Sequence, residues 1–273
     1  MKLVDALEMV VLTDPGRLRP HNEDAVFADA ALGLAILADG MGGYKAGEVA
    51  SGMAITLLAS NFARYIPLHQ SGSAAAGYVA DGEAHVASEV SVANSAIYNA
   101  AQSQPQYNGM ATTLVIAWFF ENRMIVGHLG DSRLYRLRGG QFEQLTRDHS
   151  LLQYQLDSGL ISAEEARHSQ NKNLVTRGLG VEPEVETEIH DHELLVGDIV
   201  LLCSDGLNDM VEDSEIARIL QMQGGDLSLA AEHLVELANV NGGRDNISVI
   251  LVKVRGEYAA PRGWWRKLLA RLK

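Results

Sequence analysis

The sequence predicts an α+β fold in which antiparallel β-sheets lie between layers of helices. Short apolar segments with turn residues between them recur along the chain, which is typical of strands in series. Two pairs of longer segments carry apolar residues at helical spacing. Strands that are joined by short turns pair antiparallel, and a helix that is apolar along one stripe must bury that stripe against a sheet or another helix. These patterns therefore predict antiparallel sheets that are covered by pairs of helices.

The N-terminal part of the chain predicts three short strands and two helices. The strands are residues 10–13, 25–28 and 32–38. The helices are residues 45–62 and 83–102, which are rich in Ala and other helix formers. Between them, residues 71–82 are rich in Gly, Ala and Ser, so we predict a flexible connection that ends in an Asp81-Gly82 turn.

The rest of the chain predicts a meander, a polar lobe and a second helix pair. The meander comprises strands at residues 112–120, 123–129 and 133–137, with turns at Glu121-Asn122 and Gly139-Gly140. Residues 148–181 are polar with short helical patches and predict an inserted lobe. A strand at 198–203, helices at 214–223 and 227–240, and a last strand at 246–254 complete the chain.

Composition excludes several classes of protein. The 273 residues are 47% hydrophobic, enough for one large domain with a sizeable core. The net charge of −13 argues against nucleic acid as a partner, although residues 253–273 are locally basic. No apolar run approaches the roughly 18 residues of a membrane span. Lys2 is not followed by an apolar h-region, so we expect no signal peptide. Cys203 is the only cysteine, so we expect a buried thiol, no intrachain disulfide and a cytoplasmic protein; we also expect a monomer.

Acidic residues recur at strand boundaries. Glu23 and Asp24 precede a predicted strand, Asp39, Asp131 and Asp205 each follow one, and Asp245 precedes the last. Hard divalent cations take oxygen ligands, and two such ions can hold a hydroxide against a phosphoryl group. The glycine after Asp39 would let its backbone carbonyl approach an ion as well. Asp-Gly pairs are also ordinary turns, so this pattern alone leaves both interpretations open.

Seven short motifs occur in order along the chain. They are RPHNED at residues 19–24, ADGMGG at 38–43, GMATT at 109–113, GDSR at 130–133, TRGLG at 176–180, CSDGL at 203–207 and GRDNI at 243–247. Together they resemble the metal-dependent protein phosphatases of the 2C type, bacterial branch, from about residue 8 to 254. Each motif is weak alone, but seven in this order are highly specific.

The resemblance implies a four-layer α-β-β-α sandwich, in which two antiparallel sheets are flanked by helix pairs. It implies a catalytic domain over residues 1–255, whose lobe at about 148–181 is a flap beside the active site, followed by a basic amphipathic tail at 256–273. It also implies hydrolysis of phosphoserine and phosphothreonine in proteins, with Mg²⁺ or Mn²⁺ as cofactor. By the same resemblance, a serine/threonine kinase or its targets would be the partner.

The resemblance assigns metal ligands residue by residue. Asp39 would bridge two ions, Asp205 and Asp245 would complete the shell of the first, and Glu23 and the Gly40 carbonyl would hold the second, with Asp24 close by. Asp131 would help bind a third, weaker ion together with Asp205.

The implied chemistry needs a phosphate ligand, a nucleophile and a proton donor. Arg19 matches the arginine that binds the substrate phosphate, and its planar guanidinium suits that role. A metal-bridging water would attack phosphorus without a phosphoenzyme. Met41 stands where many eukaryotic members have a histidine proposed as the general acid. We expect a metal-bound water in that role, with His21 and His149 as alternatives, and we interpret His128 as a core residue.

Competing interpretations remain. GDSR resembles the esterase motif that begins Gly-Asp-Ser, with Ser132 as nucleophile, but the position in the chain is wrong and no Asp-x-x-His follows. A metal-stabilised, non-catalytic regulatory or binding module is the main alternative to an enzyme. In the flap, we interpret Asp148, Glu164, Glu165 and Arg167 as a solvent-facing surface. The tail would either pack on the acidic body or dock on an anionic membrane or a partner.

Overall fold

A computed structural model of the chain describes residues 2–43, 46–69, 75–162, 165 and 174–259. The strands are β1 Leu7–Asp14, β2 Asp24–Asp29, β3 Leu34–Met41, β4 Ala111–Thr112, β5 Leu114–Phe120, β6 Arg123–Leu129, β7 Arg133–Arg138, β8 Gln141–Gln144, β9 Glu188–Glu193, β10 Ile199–Cys203 and β11 Ile247–Val254. The helices are α1 Leu3–Ala6, α2 Ala46–His69, α3 Ala75–Ser103, α4 Leu151–Asp157, α5 Asp205–Asn208, α6 Asp213–Gln223 and α7 Leu227–Val240, and a 3₁₀ turn spans Pro105–Tyr107.

The strands form two sheets. The first has the order β1-β11-β10-β7-β8, and the second has the order β2-β3-β5-β6-β9, with β4 paired to β3. All of these pairings are antiparallel. The chain order of the strands differs from their order in the sheets, so residues far apart in sequence become neighbours at the sheet ends.

Three apolar layers hold the fold together. Phe119 and Leu202 belong to the layer between the two sheets. Phe62 and Trp118 belong to the layer between α2, α3 and the second sheet. Leu201 is buried where α6 and α7 cover the first sheet. Each sheet is therefore buried on both faces, and the predicted four-layer sandwich is confirmed.

Burial on both faces explains why the central strands read as continuous apolar runs. All seven residues of β5 are buried, and so are all five residues of β10. An antiparallel sheet with one wet face would instead alternate between apolar and polar residues. Cys203 is fully buried in β10, as expected for a structural thiol.

Several predicted boundaries were wrong. Residues 75–82, predicted as a flexible connection, belong to α3, and residues 71–74 lie outside the described residues. Gly82 is not in a turn: a Cβ there would lie 2.7 Å from the Ile125 Cδ1 atom, so this glycine lets the helix approach β6 closely. Strands β8 and β9 were not predicted, because their polar residues lack an apolar run.

The start of the predicted tail packs on the body. Tyr258 is buried, its backbone N–H donates to Asn122 Oδ1 and its hydroxyl donates to the Arg123 carbonyl. Residues 260–273 lie outside the described residues, as do 163–164 and 166–173 of the predicted flap. Among the helices that the structure describes, none combines the length and the apolar character needed to cross a bilayer.

The four-layer arrangement predicts that adjacent residues of β10 matter equally. Leu201 faces the helices and Leu202 faces the other sheet, and both are fully buried. We expect Leu201→Ala and Leu202→Ala each to lower the free energy of unfolding by about 2–5 kcal/mol, because each leaves a cavity. Urea unfolding with Leu229→Ala as a half-exposed control tests this. Tolerance of either core change would contradict burial on both faces.

Candidate active site

The residues singled out in the sequence meet in one pocket of about 230 Å³ at the ends of both sheets. Its described lining residues are Arg19, Glu23, Asp39, Gly40, Met41, Gly42, Thr113, Asp131, Val175, Asp205, Asp245 and Asn246. All of the predicted ligand residues except Asp24 are therefore among the described lining. These residues come from segments that span the whole chain, so the pocket exists only in the folded protein.

Asp24 and Asp39 are neighbours across two strands. They are paired residues on the antiparallel strands β2 and β3, so their side chains share one face of the sheet. Asp39 was predicted to follow its strand, but it lies inside β3. Its backbone is fixed on the other side by Thr113, which receives a hydrogen bond at Oγ1 from the Asp39 N–H and donates its own N–H to the Asp39 carbonyl.

Asp131 is held by the turn between β6 and β7. Gly130 has a φ of +102°, and a Cβ there would lie 2.7 Å from Thr113 Cγ2, so the turn requires glycine. Ser132, which follows Asp131, shares a 2.7 Å hydrogen bond with the Thr113 hydroxyl. Thr113 thus connects the turn that carries Asp131, which is 7% exposed, to the backbone of Asp39.

Asp205 is presented by the start of α5. Ser204 precedes it as the N-cap residue, and the Ser204 hydroxyl donates to Asp24 Oδ2 at 2.8 Å while accepting from the Ser248 N–H. Gly206 lies against β11, where a Cβ would be 2.0 Å from the Asn246 carbonyl oxygen. The close approach places Asp205 beside the residues that precede β11.

Asn246 organises the N-terminal loop. Its Oδ1 accepts from the Glu23 N–H at 2.8 Å, and its Nδ2 donates to the carbonyls of Pro15 and His21. One buried amide therefore fixes the loop that carries both Arg19 and Glu23. Sequence reasoning did not single out Asn246; the available signal was a polar residue at the entrance of a strand that is buried except for Lys253.

The Gly40 carbonyl was predicted as a ligand, and its backbone is closely packed. A Cβ on Gly40 would lie 2.2 Å from the Gly47 carbonyl oxygen and 2.6 Å from the Glu23 carbonyl oxygen. The Gly40 N–H donates to that Glu23 carbonyl. Glycine at this position is required for α2 and the Glu23 loop to approach the end of β3.

Arg19 is the cationic residue of the described lining. Its Nη2 donates to Asp245 Oδ2 at 2.6 Å, and its side chain is 51% exposed. Burial lowers the pKa of the guanidinium, but the hydrogen bond to Asp245 and the nearby acids outweigh it and raise the pKa, so the charge is permanent. An exposed ion pair of this kind contributes little to stability, which leaves Arg19 able to exchange partners.

The acids of the site repel one another. Burial raises the pKa of Asp24 and of Asp131 to about 6, and neighbouring carboxylates add to the shift. Burial and the surrounding acids raise the pKa values of Asp39 and Asp205 well above their ordinary range. Burial raises the pKa of Glu23 as well. In the folded protein, the acidic side chains of the site therefore outnumber the cationic side chains that could neutralise them.

The donor set suits hard divalent cations. Within the described part of the chain, Asp24 Oδ1 and Asp205 Oδ1 are buried without a hydrogen-bond partner. A buried carboxylate oxygen without a partner is costly, and a cation would satisfy it. The candidate ligands offer only oxygen atoms, which Mg²⁺ and Mn²⁺ prefer over softer donors. The residues present therefore fit the metal ions that the sequence predicts.

Comparison with known proteins identifies the family. The sequence matches the profile of Protein phosphatase 2C over residues 20–236, well over half of the chain. The chain belongs to the protein phosphatase 2C family.

Close relatives of this phosphatase 2C domain are bacterial. It is 39% identical to the serine/threonine phosphatase stp of Listeria welshimeri, over 88% of this chain and 93% of that protein. The crystal structure of the Mycobacterium tuberculosis serine/threonine phosphatase PstP/Ppp superposes with a TM-score of 0.82 at 38% identity, covering 92% of this chain and all of that chain. A structure of the PstP catalytic domain in complex with two manganese ions gives a TM-score of 0.79, also at 38% identity, covering 92% and 99%.

Two alternatives from the sequence are not supported by the geometry. Ser132, the nucleophile of the esterase interpretation, is 1% exposed and its hydroxyl is bonded to Thr113. His149, an alternative proton donor, is buried and bonded through both ring nitrogens, to the Gly130 N–H and to Glu188. His128 is a fully buried core residue, as predicted.

One interpretation in the flap was wrong. Asp148 is not solvent-facing: its side chain is 10% exposed and receives a two-pronged hydrogen bond from Arg133. Glu165 is exposed, whereas Glu164 and Arg167 lie outside the described residues. Local polarity could not reveal Asp148, since its partner lies 15 residues earlier in β7.

The buried acids predict how the metal-free phosphatase domain responds to pH. Because folding raises the pKa values of Asp24 and Asp131 to about 6, the folded state holds protons that the unfolded chain releases. The free energy of unfolding in EDTA should therefore fall as pH rises from about 4 through about 6, by roughly 1–3 kcal/mol for each group. Thermal unfolding of Asp24→Asn should show a flatter decline than the wild type, because the amide cannot ionise.

Exposed Asp5 supplies the control, and Asp5→Asn should keep the wild-type slope. Addition of Mn²⁺ at pH 7 should restore stability to the wild type. Identical slopes for the wild type and Asp24→Asn would contradict the electrostatic assignment.

Proposed function

We propose that this chain hydrolyses phosphoserine and phosphothreonine in proteins by direct attack of water, without a phosphoenzyme, using two Mg²⁺ or Mn²⁺ ions. The observation that carries this proposal is the pocket itself. Arg19 and five acidic residues from distant segments line it together, and two buried carboxylate oxygens of the site have no partner among the described residues. Membership of the phosphatase 2C family and the manganese ions in the PstP structure support it.

The proposed ligand assignment follows the resemblance to the family. Asp39 would serve both ions, Asp205 and Asp245 would complete the shell of one, and Glu23 and the Gly40 carbonyl would hold the other, with Asp24 close by. Asp131 and Asp205 would hold a third, weaker ion. When bound, such ions lower the pKa of water and neutralise charge on the phosphoryl group.

Arg19 binds the substrate phosphate in this proposal. Its guanidinium is half-exposed at the mouth of the pocket, and its pairing with Asp245 holds it over the acids. A planar guanidinium can donate to two phosphate oxygens at once and stabilise charge that develops on them. The exposed ion pair is weak enough for a phosphate to compete with the Asp245 carboxylate.

The leaving alkoxide takes its proton from water. None of the described lining residues is a histidine, and Met41 occupies the position where a general-acid histidine would be expected from eukaryotic members. His149 has both ring nitrogens engaged behind the Asp131 turn. We therefore keep a metal-bound water as the proposed donor; His21, the other alternative, is exposed and is not among the described lining residues.

The substrates are phosphoproteins, and we expect a serine/threonine kinase or its targets among them. This expectation comes from the resemblance to bacterial members of the family. The flap, whose described residue Val175 lines the pocket, is the element best placed to select among substrates.

The function is tested by turnover with defined metals. We expect Mn²⁺-dependent hydrolysis of p-nitrophenyl phosphate and of a phosphothreonine peptide, with loss of both activities in EDTA and recovery on adding Mn²⁺. Release of inorganic phosphate measures the reaction. Absence of turnover on either substrate with every divalent metal tried would favour the non-catalytic binding module.

Removing one charge from the ligand set should abolish catalysis. We expect Asp39→Asn and Asp205→Asn each to lower kcat by at least about 100-fold, because each loses a charged ligand that stabilises the transition state indirectly through the ions. Metal content measured on the same samples should fall in parallel. Asp5→Asn is the matched control and should retain wild-type activity and metal content. Wild-type turnover by Asp39→Asn would refute the assignment of the site.

Arg19 should act on the substrate rather than on the ions. We expect Arg19→Lys to lower kcat/KM by roughly 10- to 100-fold, because an ammonium cannot pair with two phosphate oxygens at once. Metal content should remain that of the wild type. Arg17, which precedes it in the same loop, offers the control variant Arg17→Lys, for which we expect unchanged kinetics. A fall in metal content for Arg19→Lys would show that Arg19 instead supports the ligand set.

A further inference from the structure

The segment 147–149 is bonded residue by residue to the turn that carries Asp131. His128, which lies before the turn, donates from Nε2 to the Arg147 carbonyl at 2.9 Å. Arg133, which lies after the turn, donates from its guanidinium to the Asp148 carboxylate. His149 bonds Gly130 within the turn. The Asp131 turn is therefore enclosed by three consecutive residues from a different part of the chain.

His149 makes the central contact of this segment. Its backbone N–H donates to the Gly130 carbonyl at 2.8 Å, and its ring Nδ1 accepts from the Gly130 N–H at 3.2 Å. Because Nδ1 accepts, the proton of a neutral ring lies on Nε2, which donates to Glu188 at 3.1 Å. Both backbone polar groups of Gly130, the residue directly before Asp131, are thus satisfied by His149.

The same residue also holds the end of the flap. The His149 carbonyl accepts from the Thr176 N–H at 2.7 Å, and the neighbouring Ser150 forms a β-bridge with Val175. The Leu151 N–H donates to the Leu174 carbonyl. Val175 lines the catalytic pocket. His149 therefore contacts the Asp131 turn on one side and the returning chain of the flap on the other.

The imidazole ring provides the hydrogen-bond acceptor for the Gly130 N–H. Gly130 has a φ of +102°, which favours glycine and which proline cannot adopt. The residue therefore keeps a buried N–H, and that N–H needs a hydrogen-bond partner. The ring also stacks on His128, with centroids 4.7 Å apart and planes inclined by 15°. The stack and the Glu188 bond fix the ring orientation, so that Nδ1 points at Gly130.

We propose that His149 is a positioning residue that holds Asp131 in place for the third, weaker metal ion and couples that ion to the flap. The inference rests on the proposed role of Asp131 as a ligand. His149 acts through the Gly130 backbone and does not touch substrate. Because one side chain fixes both neighbours, displacement of the Asp131 turn and displacement of the flap end are linked.

The ring tautomer also argues against a second metal site behind the turn. His128, His149 and Glu188 have potential ligand atoms within 4.8 Å of one another. His149 Nε2, however, carries the ring proton, since Nδ1 accepts from the Gly130 N–H. That nitrogen therefore has no free lone pair for a metal ion. We interpret the contacts with His128 and Glu188 as ones that orient the His149 ring.

Three variants separate the acceptor at Nδ1 from the donor at Nε2. In His149→Asn the side-chain oxygen can take the place of Nδ1, whereas in His149→Gln the amide reaches the position of Nε2 and the acceptor toward Gly130 is lost. Glu188→Gln keeps an oxygen for Nε2–H and serves as the control. We measure hydrogen exchange of the peptides that cover residues 128–133 and 174–178 in EDTA, and the Mn²⁺ concentration that gives half-maximal activity.

We expect His149→Gln to exchange about 5- to 10-fold faster in both peptides, because a buried hydrogen bond is lost. It should also need several-fold more Mn²⁺ to reach half-maximal activity. Because His149 acts through the metal ligand and does not touch substrate, kcat at saturating Mn²⁺ should stay within about twofold of the wild type. His149→Asn and Glu188→Gln should behave like the wild type in both measurements. Equal effects of the Asn and Gln variants, or no effect of either, would overturn the proposal. If the wild type showed no turnover, the proposed function would fail, while the exchange comparison would still decide the positioning role.

A measurement on the wild type covers the case in which His149→Gln does not fold. Nitrogen-15 NMR of the imidazole should show His149 as the neutral tautomer with an unprotonated, hydrogen-bonded Nδ1. A proton on Nδ1 would exclude the bond from the Gly130 N–H and with it the proposal.

Discussion

Repulsion among buried carboxylates is the constraint on which the rest of this structure depends. Asp24 and Asp39 lie directly opposite each other on neighbouring strands, an arrangement that destabilises a sheet when both are charged. Asp205 and Asp131 add charge to the same pocket wall. The chain tolerates the repulsion because hydrogen bonds from neutral groups fix the segments that carry the acids. The pocket therefore keeps its charge density, which is the property that attracts cations.

The four-layer fold supplies the rigidity that this arrangement requires. β3 and β10 are central strands of different sheets, and both are buried on two faces. Asp39 lies near the end of β3, and Asp205 lies immediately after β10. A small displacement of either strand would disturb two apolar layers at once, and close-packed layers resist such displacement. The cost of gathering the acids is thus offset by packing elsewhere in the domain.

Much of the fold and the charged part of the site could be predicted from the sequence, because both leave local signals. Apolar runs bounded by turns marked the central strands, and ordered motifs marked the acids and Arg19. The polar strand β9 and the N-terminal part of α3 were missed, since pairing and helix packing override local composition there. Asn246, Thr113 and Ser204 were missed for a related reason. Each acts on a residue more than 70 positions away, and nothing in its neighbourhood indicates the partner.

Four of the residues that hold the acids in place are neutral, which suits the chemistry required of the site. Asn246, Thr113, Ser204 and Ser132 fix the Glu23 loop, the Asp39 backbone, Asp24 and the Asp131 turn through hydrogen bonds alone. A lysine or arginine at those positions would relieve the repulsion but would compete with metal ions for the same oxygens. Arg19, the cation among the described lining residues, is instead half-exposed and weakly held. Compensation of the carboxylate charge is thereby left to metal ions, which can exchange, rather than to side chains, which cannot.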